Sequence, residues 1–260
     1  MSRIPLAAAV AITAAVAVPS VADAATLHQD GRTPHRVLLQ DATGETNLVT
    51  VTGTQSVLIR DLNVPITVAG VPTCMALDAY TVSCAAVRRI DLDLGAGPDH
   101  ANVDTPHPVS LEGGAGNDHY LAAASRAASR VDFDGGIGID TANYFYATAG
   151  VDVAVDLESG DGRPGDDDQI RRDVEAVIGS EFADVLAGSP RTTRLSGGDG
   201  DDRITGGSGP ETLSGGRGDD RIDARDGAAD TIDCGGQALD LATVDLDAEA
   251  AITGCAQVGA

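Results

Sequence analysis

Between residues 179 and 223 the aliphatic positions recur every nine residues without a slip, at Leu186, Leu195, Ile204, Leu213 and Ile222. The stretch divides into five units, GSEFADVLA, GSPRTTRLS, GGDGDDRIT, GGSGPETLS and GGRGDDRID, starting at Gly179, Gly188, Gly197, Gly206 and Gly215. In each unit the aliphatic residue stands eighth, between polar or small neighbours. Period-two alternation then predicts a very short strand over places 7 to 9, with place 8 inward and its neighbours outward. Glycines at places 1, 2 and 4 allow the positive-φ backbone and close chain approach of a tight turn. Two units make one coil of eighteen residues, so turns eighteen apart stack on the same edge. The strict register argues against the disorder that an acidic, glycine-rich chain otherwise suggests.

The sixth place reads Asp184, Thr193, Asp202, Glu211, Asp220. One edge therefore carries Asp184, Asp202 and Asp220, and the other Thr193 and Glu211. Stacked strands lie about 4.8 Å apart, close enough for like-charged carboxylates to repel unless a cation sits between them. Carboxylates and turn carbonyls are hard oxygen ligands, which Ca²⁺ selects at about 2.3–2.6 Å. These units resemble the haemolysin-type (RTX) repeat GGxGxDxUx, a calcium-binding nonapeptide; GGDGDDRIT and GGRGDDRID match it at every defined place. The resemblance implies a right-handed parallel β-roll solenoid with calcium between successive turns. It also implies roles for the sixth-place acids and for the turn glycines Gly198, Gly200, Gly216 and Gly218. GSPRTTRLS lacks the acid and two of the glycines, and GGSGPETLS has Pro210 and Glu211 at places 5 and 6, so the second edge is predicted to be empty or weak.

Looser coils flank this array. Gly95 to Asp99, Gly113 to Asp118 and Gly135 to Asp140 each follow an alternating run, and their terminal acids Asp99, Asp118 and Asp140 are 19 and 22 residues apart. Each is about one coil from the last, and the same edge continues upstream. Val151 to Leu157 alternates as a strand, and Ser159 to Asp168 forms an acidic loop. Downstream, Asp230 falls near the sixth place of the weak edge, and Asp240, 20 residues after Asp220, returns to the strong one. About nine coils fit into residues 91–260.

Residues 25–90 read differently. Val37–Leu39, Leu48–Val51, Ser56–Ile59 and Pro65–Val68 are short apolar runs split by turn signals, and Cys74 to Cys84 ties a hairpin-like loop. The end of a stacked array exposes unpaired strand edges that natural proteins cover; this β-rich segment is read as the N-terminal cap. Residues 241–260, holding Cys255, are read as a disulfide-stapled C-terminal cap. The fold class expected is all-β.

Charge sharpens the boundary near residue 90. The formal net charge of −23 belongs to residues 91–260, while 27–90 balance, and 28 of the 32 glycines follow residue 90. So acidic a block excludes nucleic acid and anionic membrane surfaces as partners. Residues 1–24, with Arg3, the apolar run Leu6–Val18 and Ala22-Asp23-Ala24, read as a secretory signal peptide cleaved after Ala24. The run is too short to span a bilayer, which needs about 20 residues, so no transmembrane segment is expected in the mature chain. An exported chain oxidises its cysteines, and the local pairings Cys74–Cys84 and Cys234–Cys255 are favoured among the three possible connectivities.

The sequence contains no HExxH, GxSxG, P-loop or CxxC motif, and no catalysis is expected. His100 and His119 share the outward seventh place and read as a solvated pair. In Tyr144-Phe145-Tyr146, strand alternation turns Phe145 opposite to its neighbours. The reading is a secreted, extracellular protein binding several structural Ca²⁺ ions and folding on them outside the cell. A surface, adhesion or structural module fits this, with any cell-surface or protein partner unknown. The competing reading makes the array an accessory of a secreted enzyme or toxin-like protein.

Overall fold

The computed structural model describes residues 24–29, 35–42, 44–124, 130–245 and 251–259. The expected signal peptide lies, apart from Ala24, outside them. Among the described residues regular structure is all-β, and no helix is long and apolar enough to cross a membrane.

The strands form three sheets of seven, twelve and six strands. The twelve-stranded sheet runs the length of the molecule. From Leu48–Thr52 it passes in parallel register through His100–Asp104, His119–Ala122, Thr141–Asn143, Ala176–Ile178, Arg194–Asp199, Thr212–Arg217, Thr231–Asp233 and Ala251–Thr253. The chain alternates between this sheet and a second wall. That wall is first the seven-stranded sheet, through Arg36–Gln40, Arg89–Asp93, Val109–Ala115, Val131–Ile137 and Gln169–Ile170. It is then the six-stranded sheet, through Asp152–Ala154, Val185–Ala187, Arg203–Thr205, Arg221–Ala224, Leu241–Val244 and Gln257–Gly259.

Place-8 residues stack in columns because successive coils pair in register. Leu195 pairs with Leu213 and Leu213 with Ile232 on the long sheet, and Leu186 with Ile204 and Ile204 with Ile222 opposite; all are buried in one continuous apolar core. In the N-terminal half the coil is wider, and two residues of each strand point inward. Val37 and Leu39, Ile90 and Leu92, Val109 and Leu111, and Val131 and Phe133 form two parallel columns. Tyr120 and Tyr144 fill the added width, edge to face at 6.0 Å.

At the N-terminal end the pairing turns antiparallel. Ser56–Asp61 pairs with Leu48–Thr52 and Thr81–Ala85, and Cys74–Ala76 adds outside Thr81–Ala85. The Cys74–Cys84 disulfide joins register partners in this last pair, and Cys234–Cys255 closes the other end. Arg36–Gln40 and Leu48–Thr52 belong to the same sheets as the coils that follow, so parallel stacking begins well before residue 90.

The aromatic triplet departs from alternation. The strand stops at Asn143, so only Tyr144 is buried; Phe145 and Tyr146 both face solvent, edge to face at 5.1 Å. It is Tyr144 that meets the acidic loop, its hydroxyl donating to Asp168 Oδ2 at 3.1 Å.

Candidate metal centre

The turns between the walls stack as closely as their strands, and glycine is what permits it. Gly198 and Gly216 have φ of +126° and +114°, and a side chain at Gly216 would overlap the carbonyl oxygen of Gly198 one coil earlier. Gly200 and Gly218, at φ of +120° and +130°, approach the preceding turn in the same way.

On this backbone each sixth-place acid reaches toward the coil before it. The Asp184 N–H donates to Asp202 Oδ1 at 2.8 Å, Asp202 N–H to Asp220 Oδ1 at 2.9 Å, and Asp220 N–H to Asp240 Oδ1 at 3.0 Å. The other edge carries the same ladder over a greater length. Asn47 N–H donates to Asp99 Oδ1, Asp99 N–H to Asp118 Oδ1, Asp118 N–H to Asp140 Oδ1 and Asp140 N–H to Glu175 Oε2, all at 2.6–3.0 Å. After a gap, Glu211 N–H donates to Asp230 Oδ1 at 2.9 Å.

Asp99, Asp118 and Asp140 therefore do not share the edge of Asp184, Asp202 and Asp220. Their turns lead into the long sheet, as do those of Glu175, Thr193, Glu211 and Asp230. The expectation of one edge continuing upstream is corrected, because the coil between Thr141–Asn143 and Ala176–Ile178 takes in an insertion and the 18-residue count does not carry across it. Within the Thr193 turn the buried place belongs instead to Thr192, whose Oγ1 accepts the Ser189 N–H at 2.8 Å.

In six of these acids one oxygen is held by protein and the other is not. Oδ2 of Asp99, Asp118, Asp140, Asp202 and Asp220, and Oε2 of Glu211, are buried without a hydrogen-bond partner. A buried carboxylate oxygen left so costs several kcal/mol, on the order of 1–3 for the missing hydrogen bond alone. All but the Asp99 oxygen lie against the first glycine of their own turn, where no side chain would fit. A Cβ on Gly113 would lie 2.5 Å from Asp118 Oδ2 and 2.7 Å from the Gly135 carbonyl oxygen, and one on Gly197 would overlap Asp202 Oδ2 and lie 2.8 Å from the Gly215 carbonyl oxygen. Carboxylate and carbonyl lone pairs border one gap with no proton between them. A hard cation with flexible coordination completes this donor set, and Ca²⁺ fits it.

Without an ion the acids resist ionisation. Burial pushes Asp202 up to about 8, with Asp184 and Asp220 adding repulsion; Asp99, Asp140 and Glu211 rise to about 7 and Asp220 to about 6, burial again the largest cause. Asp118 and Asp184 are raised by burial too. Asp184 and Asp240, at the ends of the strong edge, have protein donors on both oxygens. Asp184 Oδ2 accepts the Ser180 N–H and Asp240 Oδ2 the Gln237 N–H, each at 2.6 Å.

The chain's repeats match a known family. Residues 178–210, 188–222 and 205–233 match the RTX calcium-binding nonapeptide repeat (4 copies). Residues 178–233 are thus similar to an array of RTX calcium-binding nonapeptide repeats. None of the curated proteins compared matches the chain. The coils before residue 178 repeat the RTX turn geometry outside the matched stretch, with Gly114 and Gly136 at φ of +102° and +100°.

Three ladder members escaped the sequence reading. Glu175 holds the Asp140 N–H with one oxygen and pairs with Arg191 through the other at 3.1 Å. Carrying the nine-residue register one unit back from Gly179 puts Glu175 sixth and buried Val177 eighth. Asp168, two residues before buried Ile170, accepts the Val131 N–H at 2.7 Å on the opposite edge. Asn47 stands two residues before buried Val49 and brings an amide where the others bring a carboxylate. Its Nδ2 donates to Asp41 Oδ2, the Leu94 carbonyl and Asp99 Oδ1 at 2.8–3.2 Å. His100 and His119 stack with ring centroids 5.4 Å apart.

Proposed function

We propose that this is an exported protein whose coils form a right-handed parallel β-roll, filled by structural calcium and assembled on it outside the cell. The observation that carries the reading is the row of buried, partnerless carboxylate oxygens repeated from coil to coil on both edges. The ions are assigned to Asp202 and Asp220 on one edge, with Asp184 and Asp240 closing its ends, and to Asp99, Asp118 and Asp140 on the other. Gly198, Gly200, Gly216 and Gly218 bring the turns close enough to share them. Residues 25–90 act as the N-terminal cap, and the Cys234–Cys255 segment as the C-terminal one.

Export is supported by the apolar run Leu6–Val18 and by two disulfides, which persist in oxidising compartments. The role is that of a surface or structural module acting without catalysis. Extracellular calcium orders its acidic C-terminal coils, which are expanded without it, onto the packed N-terminal ones. With a site affinity near 0.1 mM, about 1 mM calcium contributes ~1.4 kcal/mol per site. Far-ultraviolet circular dichroism of the full-length protein in chelator and in millimolar calcium tests this. A mixed β and coil spectrum whose β signal grows on adding calcium is expected; identical spectra and melting temperatures would overturn it.

A further inference from the structure

The edge that the nonapeptide pattern marks as weak holds a cation site of a different make. Glu211, Asp226 and Asp230, from two successive turns, each offer a carboxylate oxygen, and the three atoms lie within 4.8 Å of one another. It is the only such group of three or more acidic, histidine or cysteine side chains among the described residues. Two oxygens each about 2.4 Å from one Ca²⁺ can stand at most about 4.8 Å apart, so the three can share a single ion.

The arrangement is aimed rather than merely acidic. Glu211 is 96% buried, being 4% exposed; its Oε1 accepts the Gly207 N–H at 2.9 Å, while Oε2 is buried with no partner. Asp226 Oδ1 accepts the Ala228 N–H at 2.7 Å, and its Oδ2 is likewise buried without one. Asp230 is fully buried and fixed through Oδ1 by the Glu211 N–H. The neighbouring cation, Arg225, is turned to Asp223 at 2.7–2.8 Å. A cavity of about 300 Å³ bordered by Gly206, Gly207 and Asp226 gives a path in from solvent.

Asp226 stands four residues before its sixth-place acid, where the RTX pattern has glycine. The strong edge cannot accept a side chain there, because Gly198 and Gly216 are left-handed and pressed on the preceding turn. On the weak edge Gly207, at the same place, is not left-handed. A Cβ on Gly207 would still overlap the Ser189 carbonyl oxygen, so the side chain is accepted in the following turn, which is one residue longer and holds Asp226 without a positive φ.

We propose that Glu211, Asp226 and Asp230 bind one calcium ion, a three-carboxylate site outside the RTX pattern. The proposal rests on the calcium reading of the array, and the test separates the two. Calcium is titrated calorimetrically into the full-length protein and into Asp226→Asn, with Glu211→Gln as a second variant and circular dichroism as the check on folding. Asp226→Asn is expected to keep the β spectrum in calcium and to bind one ion fewer, or one ion at least tenfold more weakly, and Glu211→Gln to lose the same ion. An Asp226→Asn protein that binds as many ions as tightly as the unsubstituted protein overturns this site alone. An unsubstituted protein that takes up no calcium overturns the reading of the whole array and this site with it.

Discussion

A coil in the N-terminal half and a coil in the C-terminal half share one turn but are filled differently. The coil that runs through Val131–Ile137 and Thr141–Asn143 buries Val131, Phe133, Ala142 and Tyr144 and carries an acid on one edge, Asp140. The coil from Arg194 to Glu211 buries Leu195 and Ile204 as its large apolar side chains and carries a buried acid on each edge, Asp202 and Glu211. At about 1.5–3 kcal/mol per fully buried large apolar side chain, the first coil gains much more from burial. The second has twice the charge to neutralise. The same repeat is thus a packed core at one end and, at the other, a thinner core with more buried carboxylate charge to neutralise.

The largest expected effect follows directly. Under chelation, residues 179–245 should lose amide protection by orders of magnitude, while the strands from Arg36–Gln40 to Thr141–Asn143 keep much of theirs. Hydrogen exchange read by mass spectrometry checks this. Uniform loss along the chain would break the comparison.

A single acid should show the same asymmetry. Asp202→Ala strands the buried Asp184 N–H, at about 1–3 kcal/mol, and removes an oxygen that faces the turns on both sides of it. In millimolar calcium the total is about 4–6 kcal/mol, including ~1.4 kcal/mol for each of two lost ions. Asn47→Ala in the N-terminal half should cost about 1–3 kcal/mol and no ion. Calorimetric melting and calcium stoichiometry separate the two.

Acidity provides the third. Asp202, Asp220 and Glu211 have carboxyls raised in the fold to about 8, 6 and 7. Groups raised in the folded state take up protons on folding, so their contribution is fully present below about pH 4, the unfolded carboxylate value, and is lost as pH rises through 6 to 8. The metal-free C-terminal half should therefore be most ordered near pH 4 and least near pH 8, where calcium should stabilise it most. Exchange or dichroism in chelator across this range tests it, and greater metal-free order at pH 8 would reverse the sign.

The smallest effect sharpens the comparison within one edge. At the Asn47 step the amide Nδ2 donates to Asp41 Oδ2, the Leu94 carbonyl and Asp99 Oδ1, where the proposal puts a cation at the other steps. Asn47→Asp replaces that donor with a charge. Stability in chelator should fall by about 1–3 kcal/mol, and most of it should return with calcium. Equal losses in both media would mean that the amide does not stand in for an ion.

Much of this was legible in the sequence because a strict period fixes geometry. Leu186, Leu195, Ile204, Leu213 and Ile222 gave the inward column, and the glycines gave the turns. The pairing of Asp220 with Asp240 followed from counting one coil. The edge of Asp99, Asp118 and Asp140 was misread because no count survives the 35-residue step from Thr141 to Ala176. Asp168 was hidden for the same reason, since its partners Val131 and Tyr144 meet it only once the insertion has folded back. Glu175 obeys the register but sits in a unit with no glycine, and Asn47 brings an amide where the pattern has an acid. Asp226 breaks the pattern in a turn lengthened by one residue, where its own backbone has no positive φ and so accepts a side chain.

The central claim is that the orphaned oxygens mark where calcium sits. Crystals grown in calcium, measured at a long wavelength where calcium scatters anomalously, locate the ions directly. The account predicts anomalous peaks about 2.3–2.6 Å from Oδ2 of Asp202 and of Asp220, between the stacked turns. Clear density for both turns with no peak beside either oxygen would contradict it.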